Sequence, residues 1–150
     1  MLEPLNMMQS STLPTSQVSD NLSTGYDSVG WNDNDYLHLI FRPFGGLNSS
    51  PKEMVILLIL MINRGMINGQ RFLKEASIER MENPSTTLAA KAGLKFGYGL
   101  GIYHTEYAGF VFHGHGGKTA EYLARFDYLL ENASGYVVMI NSNNRSNYLN

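Results

Sequence analysis

The run Met54-Val55-Ile56-Leu57-Leu58-Ile59-Leu60-Met61-Ile62 constrains this chain more than any other stretch. It holds nine apolar residues in a row, far short of the roughly 20 a membrane span needs. Ser50-Pro51-Lys52-Glu53 stands in front of it. Ser is a good N-cap, Pro suits the first helical position, and Glu three residues after Ser completes a capping box. Arg64-Gly65 follows, a basic residue and a C-terminal glycine stop. A buried strand is the other reading of such a run, but the cap and the stop favour a helix. A helix that is apolar all round has to be covered on most sides, and few elements here are available to cover it.

Composition narrows the class. The chain has 150 residues, one domain on a prior of roughly 100–200 residues each. A chain of this size can bury about two thirds of its unfolded surface. Only 16% of residues are charged, against roughly 25% in ordinary soluble domains, so Asn, Ser, Thr and Gly supply much of the polarity. Eleven basic and 13 acidic residues give a net charge of -2. That leaves no field for a phosphate backbone and argues against a nucleic-acid partner. The absence of cysteine excludes disulfides, thiolate zinc sites and a Cys nucleophile, without excluding export. Met1-Leu2-Glu3-Pro4 has neither the basic flank nor the apolar run of a signal peptide. The expectation is a soluble chain with no address of its own.

Residues 1–96 read as a loop and helical region, 97–141 as antiparallel strands, and 142–150 as a tail. Ser10-Ser11-Thr12 and Trp31-Asn32-Asp33-Asn34-Asp35 read as loops. Tyr26, Trp31, Tyr36 and Phe41 argue against disorder and for an irregular segment lying on something else. Asn68-Gly69 is a turn, and a short helix around Glu75–Met81 ends before Pro84. Gly97–Thr105 alternates, with Tyr98, Leu100 and Ile102 on one face. Phe110–Phe112, Leu123–Leu130 and Tyr136–Ile140 read as further strands, with a hairpin loop over Glu131–Gly135. Helices followed by an antiparallel sheet make an α+β fold.

The most unusual segment is His113-Gly114-His115-Gly116-Gly117-Lys118-Thr119. Its glycines let a ligand approach the backbone closely. Gly117-Lys118-Thr119 matches the end of a phosphate loop, but the first glycine of that motif falls on Phe112. His113 and His115 share a face in a strand, yet a metal site needs a third ligand from His38, His104 or a carboxylate. A glycine-rich turn with two satisfied histidines is the plain alternative.

A fourth reading draws on more of the chain. His115-Gly116-Gly117 resembles the H-x-G form of the third active-site motif of the serine β-lactamase and penicillin-binding-protein superfamily, class C-related branch. Glu3-Pro4-Leu5-Asn6-Met7 resembles its E-P-L-G-M, and Phe44-Gly45-Gly46-Leu47-Asn48-Ser49-Ser50-Pro51-Lys52-Glu53-Met54 its G-G-L-x-S-S-P-x-D-M segment at a helix start. Gly97-Tyr98-Gly99-Leu100-Gly101 resembles its G-Y-G-L-G, and Tyr136–Asn141 its closing strand. The segments occur in family order.

The resemblance implies the C-terminal portion of a serine hydrolase acting on an amide, ester or β-lactam through an acyl-enzyme. It implies no metal or other cofactor, a small-molecule or peptide-like substrate, and a periplasmic or extracytoplasmic location. Lys118 would give a backbone N–H to the oxyanion hole. Gly116 and Gly117 would keep the strand edge open. His115 would bind a substrate carboxylate or carry a proton. The family's S-x-x-K and Y-x-N would precede Met1, leaving this chain inactive alone. Ser49-Ser50-Pro51-Lys52, Ser19-Asp20-Asn21, Lys118-Thr119-Ala120 and Tyr148-Leu149-Asn150 imitate family motifs in the wrong order. Ser49 therefore reads as part of a helix start and not as the nucleophile. Glu121 stands where the family usually has glycine, before Tyr122. The other class open to the chain is a non-catalytic ligand-binding or interaction module of the same partial fold.

Overall fold

A computed structural model describes residues 2–27, 29–30, 45–94, 96–119 and 121–143. Trp31–Asp35, Tyr36, His38, Phe41, Phe44, Ala120 and Tyr148–Asn150 lie outside the described residues. Among the described residues no helix is long and apolar enough to cross a membrane.

Two units form. The first draws on Met1–Ile56, Gly116–Arg125 and Val138–Asn150, the second on Leu57–His115 and Phe126–Val137. Among the described residues the elements before the apolar run are small: a 3-10 turn at Glu3–Leu5 and helix α1 (Ser16–Asn21), whose Thr15 cap accepts from the Val18 N–H at 3.2 Å.

The apolar run becomes helix α2 (Pro51–Ile62). Ser50 Oγ accepts from the Glu53 N–H at 3.2 Å, the cap its sequence predicts. The reciprocal half of the capping box is replaced. Glu53 Oε1 accepts from the Gln9 N–H at 2.9 Å, and Oε2 from the Ser10 hydroxyl at 2.5 Å. Glu53 is thereby buried, and it ties the N-terminal segment to the helix start. Ser11 and Asn48 form an antiparallel bridge in the same neighbourhood. At the far end, Gly65 adopts φ +88° and donates to the Leu60 carbonyl at 2.8 Å. A Cβ there would strike the Leu73 carbonyl, so both conformation and space require glycine. Met54, Leu58, Leu60 and Met61 are buried, but Val55 and Ile59 stay 39% and 42% exposed, one turn apart. Coverage of the helix is therefore incomplete.

The second unit continues with the hairpin β1 (Met66–Ile67) and β2 (Gln70–Arg71), turned by Asn68 and Gly69, both at positive φ. Helices α3 (Glu75–Glu82) and α4 (Leu88–Lys91) follow. The five-stranded antiparallel sheet runs in the order β3 (Gly97–Tyr98), β4 (Tyr103–Tyr107), β5 (Phe110–Lys118), β6 (Leu123–Leu129), β7 (Ser134–Ile140). The fold is α+β, as expected. The core of this unit joins Leu58, Met61, Ile78, Ile102 and Tyr128, with Ile62, Leu73, Met81, Phe126 and Val137 packed against it.

One expected strand breaks. Gly97–Thr105 does not run straight, because the Gly99 N–H donates to the Ile102 carbonyl at 2.7 Å and Gly101 takes φ +84°. The turn leaves Leu100 61% exposed while Ile102 is 3% exposed, so they share no face. Gly99 lets the Met81 backbone approach closely, since a Cβ there would strike the Met81 carbonyl.

The Glu53 carboxylate serves two donors beyond its own helix. Glu53→Ala is expected to lower unfolding stability by about 1–3 kcal/mol, because it removes the acceptor of the buried Ser10 hydroxyl and of the part-buried Gln9 N–H. Ser50→Ala is expected to cost about 1 kcal/mol. Urea midpoints of the two variants check the order.

Candidate active-site strand

The glycine-rich segment lies inside β5, not in a turn after a short strand. Ala108 and Gly109, at φ +52° and +84°, turn β4 back onto it. The β4–β5 ladder pairs Tyr107 with Phe110 at one end and Tyr103 with Gly114 at the other. Because β4 starts at Tyr103, the last four residues of β5, His115 to Lys118, run past the end of that ladder. Gly116, Gly117 and Lys118 are exposed, and a Cβ at Gly117 would meet open space. His115 lies beside two tyrosine rings, with centroids 6.1 Å from Tyr98 and 6.3 Å from Tyr103.

Gly114 is buried for a different reason. A Cβ there would strike Asp127 Oδ1 and the Phe126 carbonyl. Asp127 is 1% exposed; Tyr103 Oη donates to its Oδ1 at 3.2 Å, and Tyr136 Oη donates to Oδ2.

His113 and His115 do not act together. His113 stacks on Tyr128 at 5.4 Å and meets His104 edge-on at 4.3 Å. Its Nδ1 is buried without a hydrogen-bond partner, so the expectation of a histidine satisfied by its neighbours holds for packing only. Burial, and then the neighbouring His104, push the His113 pKa down to about 4. Below this pair, Arg64 Nη1 donates to both Glu82 oxygens at 2.7 Å, and Tyr128 Oη donates to Glu82 Oε1 at 2.7 Å. Burial and the Glu82 hydrogen bond push the Tyr128 pKa up. Among the described residues no group of three His, Asp or Glu is placed to hold a metal ion.

A family model described as Beta-lactamase matches residues 1–149. The chain belongs to the β-lactamase family. Several solved structures share its fold. An octameric penicillin-binding protein homologue from Pyrococcus abyssi is 24% identical, with a TM-score of 0.74 over 96% of this chain and 32% of its own. A class C β-lactamase from Rhodobacter sphaeroides is 13% identical, with a TM-score of 0.70 over 95% of this chain and 47% of its own. A D-stereospecific amidohydrolase from Streptomyces sp. is 15% identical, with a TM-score of 0.65 over 96% of this chain and 42% of its own. The chain thus spans less than half the length of each. No curated protein matches it.

The segments that resemble β-lactamase-family motifs now have local reasons. Asn6, where the motif has glycine, takes φ +57°, a conformation Asn tolerates better than most residues. Ser49 Oγ lies 2.7 Å from Ser10 Oγ, which in turn bonds Glu53. Ser49 therefore belongs to the hydrogen-bonded clamp at the start of α2, and Lys52 is exposed. Ser19-Asp20-Asn21 lies on the exposed side of α1. The Thr119 N–H donates to the Tyr122 carbonyl at 2.9 Å, and strand β6 begins at Leu123. A phosphate loop would need a helix there. Glu121 packs on Gly25, where a Cβ would sit 2.7 Å from Glu121 Cβ, and Tyr122 Oη donates to the Ser23 carbonyl at 2.6 Å. Glu82, Asp127 and Tyr103 were not singled out from the sequence. The available signal was a lone acidic residue at a buried position of an apolar strand, Leu123-Ala124-Arg125-Phe126-Asp127-Tyr128-Leu129.

The folded chain keeps His113 neutral down to about pH 4, whereas unfolded histidine protonates near pH 6.5. Acidification through that window therefore favours the unfolded state. His113→Phe is expected to flatten the loss of stability between pH 6.5 and 4, measured as the difference between wild-type and variant urea midpoints. Gly114→Ala is expected to destabilise the fold at every pH, because its Cβ collides with Asp127 and Phe126.

Proposed function

We propose that the chain is part of a serine acyl-hydrolase of the β-lactamase family, and that His115–Lys118 forms the third-motif wall of its substrate site. The observation that carries this reading is the end of β5, which outruns its ladder with β4 and exposes two successive glycines. A peptide-like substrate or β-lactam would lie along that edge as an added strand, with main-chain hydrogen bonds supplying affinity. The Lys118 N–H would be the second oxyanion donor, aimed at the charge that develops on the attacked carbonyl. His115 would hold a substrate carboxylate or carry a proton. Serine attack would give an acyl-enzyme, and water would hydrolyse it. The S-x-x-K serine and the Y-x-N loop would come from sequence outside these 150 residues, so the chain alone would be inactive. The substrate would be an amide, an ester or a β-lactam.

The 150-residue chain is expected to turn over neither a chromogenic β-lactam nor a p-nitrophenyl ester. Turnover abolished by Ser49→Ala would overturn the assignment. With the S-x-x-K segment in place, His115→Ala is expected to lower kcat/KM by about 10²–10⁴-fold, the scale of a lost acid–base group.

A further inference from the structure

The geometry points to Asp127 as a positioning residue for His115, acting through Tyr103. The inference rests on the reading of His115 as the third-motif histidine. An acidic side chain 1% exposed is costly to bury unless its oxygens are engaged. Here both are, one by Tyr103 Oη and the other by Tyr136 Oη. The sheet is shaped around this carboxyl group, because a Cβ at Gly114, the residue before His115, would strike both Asp127 Oδ1 and the Phe126 carbonyl.

Tyr103 is paired in register with that same Gly114. Its ring lies 6.3 Å from His115 at an interplanar angle of 35°. Tyr98 meets His115 nearly edge-on, at 6.1 Å and 76°. These separations lie in the range where aromatic pairs prefer defined orientations. A tyrosine held only at its Cβ end can swing about two torsions. Tyr103 is also held at its hydroxyl end, by Asp127. Asp127 thus fixes the ring against which His115 rests, and Tyr136 fixes Asp127 from the opposite side. Asp127 touches no substrate in this scheme.

The test follows the ring signals of the histidines by NMR against pH in the 150-residue chain, with His115→Gln identifying the His115 signal. Tyr103→Phe keeps the ring and removes the anchor. Asp127→Asn keeps the size and changes the acceptor. Each is expected to shift the His115 resonances and titration midpoint in the same direction, and the double variant no further than the larger single one. His113 and His104 should stay in place. An unmoved His115 in Tyr103→Phe overturns the proposal. So do shifts that add in the double variant, or shifts shared by all the histidines, since coupled residues are non-additive and a general loosening is not local. Should Asp127→Asn fail to fold, Tyr103→Phe carries the test alone, because Tyr136 still holds the carboxyl group. These signals do not depend on hydrolysis. A responsive His115 without activity in the protein carrying the S-x-x-K segment supports the positioning role and counts only against the functional reading.

Discussion

The buried carboxylate of Glu82 is the contact on which the second unit depends. It accepts from Arg64, just past the end of α2, and from Tyr128 on β6, while Glu82 itself ends α3. One side chain therefore joins two helices to the sheet. Arg64 takes φ +52° in the turn that ends α2, a conformation that costs a non-glycine residue free energy. Removing one partner would leave a charge buried and uncompensated, which is more damaging than the net worth of the pair suggests. Tyr128 carries the effect to β5, because His113 stacks on its ring. The strand that bears the candidate site is thus seated on a polar node inside an apolar core.

That seating explains a division along β5. His113 and Gly114 belong to the core, one stacked on Tyr128 and the other pressed on Asp127. From Gly116 onward the strand is exposed, and it has already outrun β4. The rigid half is held by packing, and the open half keeps its backbone near the surface. Catalytic groups need support of this kind, since a site built on a strand with locked neighbours is better defined than one on a loop.

Much of this was legible in the sequence where the determinants are local. The helix start at Ser50-Pro51, its stop at Gly65 and the turn at Asn68-Gly69 depend on nearest neighbours, and each forms where its residues place it. The order of family-like segments identified the fold. Distant contacts were not legible. Glu53 looked like the second half of a capping box, but it answers Gln9 and Ser10, more than 40 residues away. A turn was one reading of Gly114–Gly117, because glycine favours turns, whereas Gly114 pairs with β4 and presses on β6, and β5 continues extended through Lys118. Gly97–Thr105 alternated like one strand, but the Gly99–Ile102 hydrogen bond folds it back. Asp127 stands in a largely apolar strand and Glu82 at the end of a polar helix, with nothing nearby in sequence to reveal their tyrosine partners.

The central claim is that the end of β5 is the edge along which substrate lies. Backbone amide mapping by NMR, with a short D-amino-acyl peptide added to the protein, tests it most directly. The account predicts that the perturbed amides concentrate at His115–Lys118 and leave Phe110–Phe112 unmoved. Saturable binding with perturbations elsewhere, and none at His115–Lys118, would contradict it.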